Sequence, residues 1–214
     1  MNKEQLSLEI LTRLKLRYPS AKIALDWENP WQLLVATVLS AQCTDKQVNK
    51  VTPVFFQNWP SPFDLEKCPV EDVALVIRST GLYRNKSRNL VAAAKIIVSR
   101  FKGQVPCRME DLLALPGIAR KSANVILSNA FGINQGIAVD THVRRIAFRL
   151  NLTVSANPDV IEKDLMPLFH VDEWGNINHM LVYFGREVCT ARRPGCAGCE
   201  LDDICPKKRI EKNR

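Results

Sequence analysis

Leu115–Val125 reads LPGIARKSANV, and the way this stretch interrupts helical periodicity decides the fold. Pro116 and Gly117 break one apolar segment, DLLALP, and the spacing of Val125, Ile126 and Ala130 starts another directly after it. The expected product is a helix, a tight turn and a second helix. Backbone N–H groups of such a turn, and of the helix start that follows, point outward without partners and make a seat for a phosphate oxygen. Gly117 lets a nucleic acid backbone come close. A plain interhelical turn is the competing reading.

This pattern resembles the helix-hairpin-helix motif, whose usual core is L-P-G-V-G and whose DNA contacts carry position rather than base sequence. Ala119 stands where that core has its second glycine. The alanine keeps the donating N–H, but its methyl group penalises a left-handed conformation.

Outward from the turn, the periodicity is helical nearly everywhere. Leu90, Ala94, Ile97 and Phe101 step by helical intervals, as do Ile10, Leu14 and Tyr18, and no convincing two-residue alternation occurs. Pro30 before WQLLVATVLSAQ, Thr44 before DKQVNKVTPVFF, Pro69 before VEDVALVIRS and Asn157 before PDVIEKDLMPLF mark helix starts. Gly81, Gly103, Gly132 and Gly175 are expected at the ends of such segments or in the turns between them. The fold class is all-α, with about ten short helices.

The 214 residues, 46% of them hydrophobic, suffice for a sizeable core. Thirty Lys and Arg against 22 Asp and Glu leave a formal charge of +8, which favours a polyanionic partner such as nucleic acid over other ligands, a solvated basic surface being the alternative. No apolar run approaches the roughly 20 residues needed to span a bilayer, since Lys95 interrupts the longest candidate, LVAAAKIIV. The opening MNKEQLSLEILTRLKLRY has no uninterrupted apolar segment of the kind an export signal requires. A soluble protein of the cytoplasm, associated with the nucleoid if prokaryotic, is expected.

Lys121 falls in the first turn of the helix after the hairpin, where the positive end of the helix dipole and the adjacent Arg120 both disfavour an ammonium. A neutral amine there is a nucleophile able to form a Schiff base with an aldehyde-like carbon. The bland alternative is one more phosphate contact. Asp140, in GIAVDTHVRRIAFRL, follows a short apolar stretch and precedes an amphipathic helix. It reads as a helix N-cap, and also as a carboxylate able to stabilise nearby positive charge.

Of seven cysteines, Cys189, Cys196, Cys199 and Cys205 form a C-x6-C-x2-C-x5-C cluster in a terminal segment that has lost helical periodicity. In an intracellular protein such a cluster points to metal before disulfides. The spacing leaves structural zinc and a [4Fe-4S] cluster balanced. Cys43, Cys68 and Cys107 fit no ligand spacing.

Taken together, L-P-G-x-x-R-K-[ST]-A-x-x-[VI] followed by V-D-T-H, with LEILTRL, LLVATVLSAQCTD, GLYRNKS and the terminal cysteines, resembles the endonuclease III branch of the helix-hairpin-helix DNA glycosylases over almost the whole chain. The resemblance implies an all-α fold of two lobes with DNA in the cleft between them and a carboxyl-terminal iron–sulfur loop. It also implies a discontinuous organisation: residues 22–136 form a central helical domain carrying the hairpin, and residues 1–21 plus 137–214 form an iron–sulfur domain. Lys121 matches the Schiff-base nucleophile and Asp140 the essential carboxylate. Gln42 and Leu82 match residues that fill the gap left by an extruded nucleotide, and His142 a position beside the damaged strand. Burial in an ordinary helix interface is the alternative for Gln42 and Leu82.

With Gly117 and Ala119 of the hairpin, Arg186, Arg192 and Arg193 near the cysteines are further candidates for gripping phosphate, a solvated basic rim being the alternative. The resemblance turns the four cysteines into ligands of a structural [4Fe-4S] cluster. The implied activity is base excision repair of oxidised pyrimidines or abasic sites in double-stranded DNA, by glycosylase and β-elimination chemistry, as a monomer. An enzyme working on a base in a duplex must flip it out, which costs a few kcal/mol of unstacking. Adenine-mismatch, thymine- or uracil-mismatch glycosylases and a non-catalytic, redox-sensing DNA-binding module are the rivals. The Lys121 and Asp140 pair stands against the last of these, because phosphate binding alone requires neither.

Overall fold

Asn29 and Pro30 open the most buried helix of the chain. The Asn29 side chain accepts from the Gln32 N–H at 3.0 Å, and Pro30 sits at the first helical position, where its missing N–H costs nothing. The structure, a computed structural model, describes residues 2–208. In chain order its α-helices are α1 (Lys3–Arg17), α2 (Pro30–Leu39), α3 (Asp45–Asn58), α4 (Pro62–Leu65), α5 (Val70–Val76), α6 (Tyr83–Phe101), α7 (Met109–Leu113), α8 (Arg120–Phe131), α9 (Thr141–Arg149), α10 (Pro158–Leu165) and α11 (Trp174–Glu187). Short 3-10 turns lie at Arg78–Thr80, Met166–Leu168, Val171–Glu173 and Cys196–Gly198, and no strand occurs among the described residues.

The chain divides into two compact units, Ala24–Ile133 and the described residues of Met1–Ile23 with Asn134–Arg214. In the first, α2 packs against α3, α6 and α8, while α4 and α5 lie on α6 and α7 on α8. Leu33, Leu34, Val35, Ala36 and Leu39 are fully shielded from solvent. A helix apolar all round belongs in a core, and each buried leucine contributes roughly 1.5–3 kcal/mol relative to exposure. The helix opening at Pro30 stops at Leu39, short of the full WQLLVATVLSAQ segment, so Gln42 lies on a turn. Ser40 Oγ donates back to the Thr37 carbonyl at 2.8 Å, the side-chain competition with helical bonding that serine favours.

In the second unit, α11 packs against α9 and α1, and α10 against α9. Ile10 and Leu14 of α1, Ile146 of α9, Ile161 of α10 and Leu181 and Phe184 of α11 meet in one core. Gly175, expected at an end or a turn, lies inside the first turn of α11. There the main chain already has helical geometry, and the boundary is supplied by the 3-10 turn at Val171–Glu173. Arg13 of α1 grips the terminal segment, with Nη1 and Nη2 on the Asp203 carboxylate at 2.5 and 3.1 Å and Nη1 also on the Glu200 carbonyl at 2.7 Å. Among the described residues no helix is long and apolar enough to cross a membrane.

Candidate functional site

The hairpin is built by two buried anchors around an exposed tip. Leu115 and Ile118 are buried, with 2% and 7% of their surface accessible, whereas Gly117 and Ala119 face solvent. The Leu115 N–H donates to the Leu112 carbonyl at 3.0 Å and the Ile118 N–H to the Leu115 carbonyl at 3.1 Å. Gly117 has φ +86°, and a Cβ there would stand 3.0 Å from Asn89 Nδ2 and 3.1 Å from Asn89 Cβ. Both facts call for glycine.

Ala119 is extended, at φ −100° and ψ 170°, so the left-handed penalty expected of an alanine here does not arise. As N-cap of α8 it also has no side-chain oxygen to offer the first N–H groups of the helix. Lys121 is the second residue of α8, solvent-exposed, and its amine makes no hydrogen bond or ion pair among the described residues.

Gln42 and Leu82 belong to the same unit, and neither is buried in a helix interface. Gln42 is exposed at φ 53°, and Leu82, 51% accessible, is at φ 48° as the N-cap of α6. Left-handed conformation costs a non-glycine residue roughly 1–2 kcal/mol. Two such residues displaying their side chains to water are the kind of strain that functional sites retain.

In the other unit, Asp140 caps α9: its Oδ1 accepts from the His142 and Val143 N–H groups, each at 2.8 Å. Oδ2 has no partner among the described residues, so capping leaves one oxygen free for a second task. His142 is half-buried. Burial, with Arg145 and Arg186 nearby, pulls its pKa below the ordinary value despite the adjacent Asp140. Arg145 Nη2 lies 3.2 Å from His142 Nδ1, which therefore accepts, and the same nitrogen donates to the Gly185 carbonyl at 2.8 Å. A Cβ on Gly185 would stand 2.7 Å from His142 Nδ1 and 2.9 Å from Arg145 Nη2. Sequence reasoning missed Gly185 and Arg145. A glycine inside the helical pattern YFGRE was the available signal for the first.

Cys189, Cys196, Cys199 and Cys205 all line one small pocket, walled by Ile146, Leu150, Phe184 and Leu201. Among the described residues no three His, Cys, Asp or Glu side chains converge closely enough for a single metal ion. Burial pushes the Cys199 thiol up to about 11 and raises Cys205 as well, so an unliganded pair would hold its protons. Donors are nonetheless aimed at the sulfurs. Arg149 Nη1 lies 3.2 Å from Cys189 Sγ, the Leu201 N–H 3.4 Å from Cys199 Sγ and the Lys207 N–H 3.4 Å from Cys205 Sγ. Buried Arg149 also donates to the carbonyls of Cys189, Thr190 and Ala191 at 3.3, 2.7 and 3.0 Å. An apolar cavity with four sulfurs on its walls and N–H donors pointing at them fits a multi-atom thiolate-bound group. Sequence reasoning passed over Arg149, whose role depends on contacts forty residues away.

Arg186, Arg192 and Arg193 are all exposed at or beside this segment, and Thr190 Oγ1 donates to the Arg193 carbonyl at 2.6 Å, shaping the loop that carries two of them.

Residues 35–170 match the HhH-GPD superfamily base excision DNA repair proteins. The chain is 50% identical to the endonuclease III of Synechocystis sp. over 205 residues, covering 96% of this chain and 94% of that protein. It is 38% identical to the endonuclease III of Escherichia coli K12 over 208 residues, covering 97% and 98%. Among solved structures, a non-covalent endonuclease III–DNA complex superimposes with a TM-score of 0.92 at 40% identity, covering 97% of this chain and 96% of that one. A trapped endonuclease III–DNA covalent intermediate gives 0.91 at 40% identity, with 97% of each chain covered. A thermostable thymine-DNA glycosylase at 20% identity, TM-score 0.85, shares the fold. The exposed lysine on an uncapped helix after a glycine turn and the cysteine-lined cavity thus sit in a chain that belongs to the HhH-GPD superfamily of base excision DNA repair proteins, in its endonuclease III family.

Proposed function

We propose that the chain excises oxidised pyrimidines from duplex DNA and then cleaves the strand at the abasic site, with Lys121 as nucleophile and Asp140 as the essential carboxylate. Base excision repair of DNA by glycosylase and abasic-site lyase chemistry is the activity of its family. One observation carries the assignment of Lys121: its amine is exposed and unpaired in the first turn of α8, directly after a left-handed glycine turn and an N-cap that has no side-chain acceptor. A covalent DNA intermediate has been trapped in the similar endonuclease III, which supports a nucleophile that bonds to the sugar.

The Lys121 amine, once it has given up a proton, attacks the sugar C1′, the bond from C1′ to the base breaks, and the base leaves with the bonding electron pair and takes up the proton that the new secondary amine releases. Ring opening gives the imine between Nζ and C1′. The imine acidifies the C2′ proton, and its removal expels the 3′ phosphate by β-elimination. Asp140, held by two N–H bonds through Oδ1, offers Oδ2 to the positive charge that develops at the sugar.

Gln42 and Leu82, projecting from left-handed backbone, are proposed to fill the gap left by the extruded nucleotide. His142 is placed beside the damaged strand, and Gly117, Ala119, Arg186, Arg192 and Arg193 on phosphates. Cys189, Cys196, Cys199 and Cys205 are proposed to hold a [4Fe-4S] cluster, which when bound ties down a terminal segment too poor in apolar residues to fold unaided. Residues 22–136, and 1–21 with 137–214, are the proposed functional domains. The proposed location is the cytoplasm, with nucleoid association if the source is prokaryotic.

Borohydride reduction on a duplex bearing one thymine glycol, run with the unmodified protein and with Lys121→Gln, tests the assignment. A covalent protein–DNA product that requires Lys121 is expected. DNA binding without trapping or base release by the unmodified protein would refute it and leave a DNA-binding module.

A further inference from the structure

Lys86 is the least expected residue of the first unit: a lysine on α6 with only 4% of its surface accessible and no ion pair among the described residues. Its Nζ donates to the Leu39 carbonyl at 2.7 Å and to the Thr80 carbonyl at 2.8 Å. Leu39 is the last residue of α2, and Thr80 the last of the 3-10 turn Arg78–Thr80. One ammonium thus caps two helical carboxyl ends, where unpaired carbonyls and the negative dipole end compensate a buried cation. Burial pulls its pKa down, and the Cys43 thiol is the titratable group nearby that opposes this.

Each tethered carbonyl lies at the root of a strained, exposed residue. Three residues after Leu39 comes Gln42, and two residues after Thr80 comes Leu82, both left-handed. The hold on Leu82 is double, because the backbone N–H of Lys86 itself donates to the Leu82 carbonyl at 3.1 Å. A second link reaches the same 3-10 turn from the first turn of α3, from Gln47 Nε2 to Ser79 Oγ at 2.9 Å. Left-handed non-glycine residues persist only where their surroundings over-determine them. Burying an ammonium without a carboxylate is an expensive way to join two helices if packing were all that was wanted, since an apolar side chain of that length would join them at less cost.

We propose that Lys86 is a positioning residue: by tying the Leu39 and Thr80 carbonyls together, it fixes Gln42 and Leu82 relative to each other as one rigid pair of probes for the duplex. This rests on the reading that these two residues enter the DNA. Lys86 touches no reacting atom. Its effect is confined to steps in which a nucleotide is displaced from the stack, and Lys121 chemistry on an already extruded sugar proceeds without it.

The experiment compares Lys86→Met, which keeps length and apolar packing, and Lys86→Arg, which keeps charge but not reach, with the parent protein and with Gln42→Ala/Leu82→Ala. Three quantities are read: single-turnover excision of thymine glycol from duplex DNA, fluorescence of a 2-aminopurine placed opposite the lesion, and borohydride trapping on an abasic site in single-stranded DNA. A placement error of the order of an ångström slows an oriented reaction by up to about a hundredfold, so duplex excision by Lys86→Met is expected to fall at least about tenfold with loss of the fluorescence rise. Single-strand trapping stays within about twofold of parent on the same reasoning. Lys86→Arg shows the same split in smaller degree, which keeps the test intact if Lys86→Met does not fold. Equal loss on both substrates, or loss on neither, overturns the proposal. If Gln42→Ala/Leu82→Ala retains the fluorescence rise, the reading of those residues fails, and the proposal with it. If that variant loses the rise and Lys86→Met retains it, the positioning role alone fails.

Discussion

Replacing Gly117 by alanine combines two penalties that the structure separates. At φ +86° an L-residue costs roughly 1–2 kcal/mol in backbone strain. The new Cβ would also meet Asn89 Nδ2 at 3.0 Å and Asn89 Cβ at 3.1 Å, so Asn89 has to retreat by a few tenths of an ångström. Together the loss should be about 1–3 kcal/mol, or about 2–12 °C in Tm for a chain of this length. The turn N–H groups are re-aimed at the same time. Affinity for a duplex carrying an uncleavable abasic analogue should fall about tenfold, roughly the worth of one hydrogen bond to a charged oxygen. Thermal denaturation and fluorescence anisotropy measure the two effects. An Asn89→Ala background splits the first, because it removes the steric part and leaves the backbone part. If Gly117→Ala melts within about 1 °C of the parent and binds the abasic duplex unchanged, the left-handed turn is not what shapes the hairpin, and the reasoning fails.

Arg149→Met removes the donor that holds the carbonyls of Cys189, Thr190 and Ala191 and points at Cys189 Sγ. With three acceptors left unpaired, the loss should be about 3 kcal/mol or more, read as a lower Tm together with less iron per purified chain. Full iron content in this variant would show that the proposed cluster is held without the arginine. His179, on α11, is pushed down by burial to about 4. The unfolded chain, with histidine near its ordinary 6.5, binds more protons between those values, so this contribution to stability is complete above about pH 6.5 and drains away as pH falls towards 4. The loss amounts to roughly 3 kcal/mol, measurable by urea denaturation at pH 7 and pH 4.5, and His179→Gln should lack it. An identical pH slope in His179→Gln and the parent would assign the effect elsewhere.

Residue order carried the fold class because local signals agreed with one another. Asn29, Thr44, Asp140 and Asn157 accept capping N–H bonds where helices begin, and Ile10, Leu14, Leu90, Ala94 and Ile97 are buried at the helical spacing that singled them out. Lys121 at the head of α8 and Asp140 at the head of α9 were legible for the same reason, since helix starts are set by a few neighbouring residues. The spacing of the four cysteines suggested a ligand set and left its kind open, and the fold brings all four to the wall of one pocket.

Tertiary structure decided what depends on residues distant in sequence. The left-handed placement of Gln42 and Leu82 arises where helices end against other helices, and no local pattern encodes it. The extended backbone of Ala119 removed an objection that its side chain alone had raised. Arg149 on the cysteine loop, Gly185 beneath His142 and Lys86 between two helix ends each act across 40 or more residues, or across a fold-made pocket. A capping bond or a turn is closed by residues within a few positions of each other, so its energy is written in local order. A buried ammonium or guanidinium is paid for only by carbonyls that the folded core delivers, and until the chain has packed nothing marks it as different from a lysine or arginine at the surface.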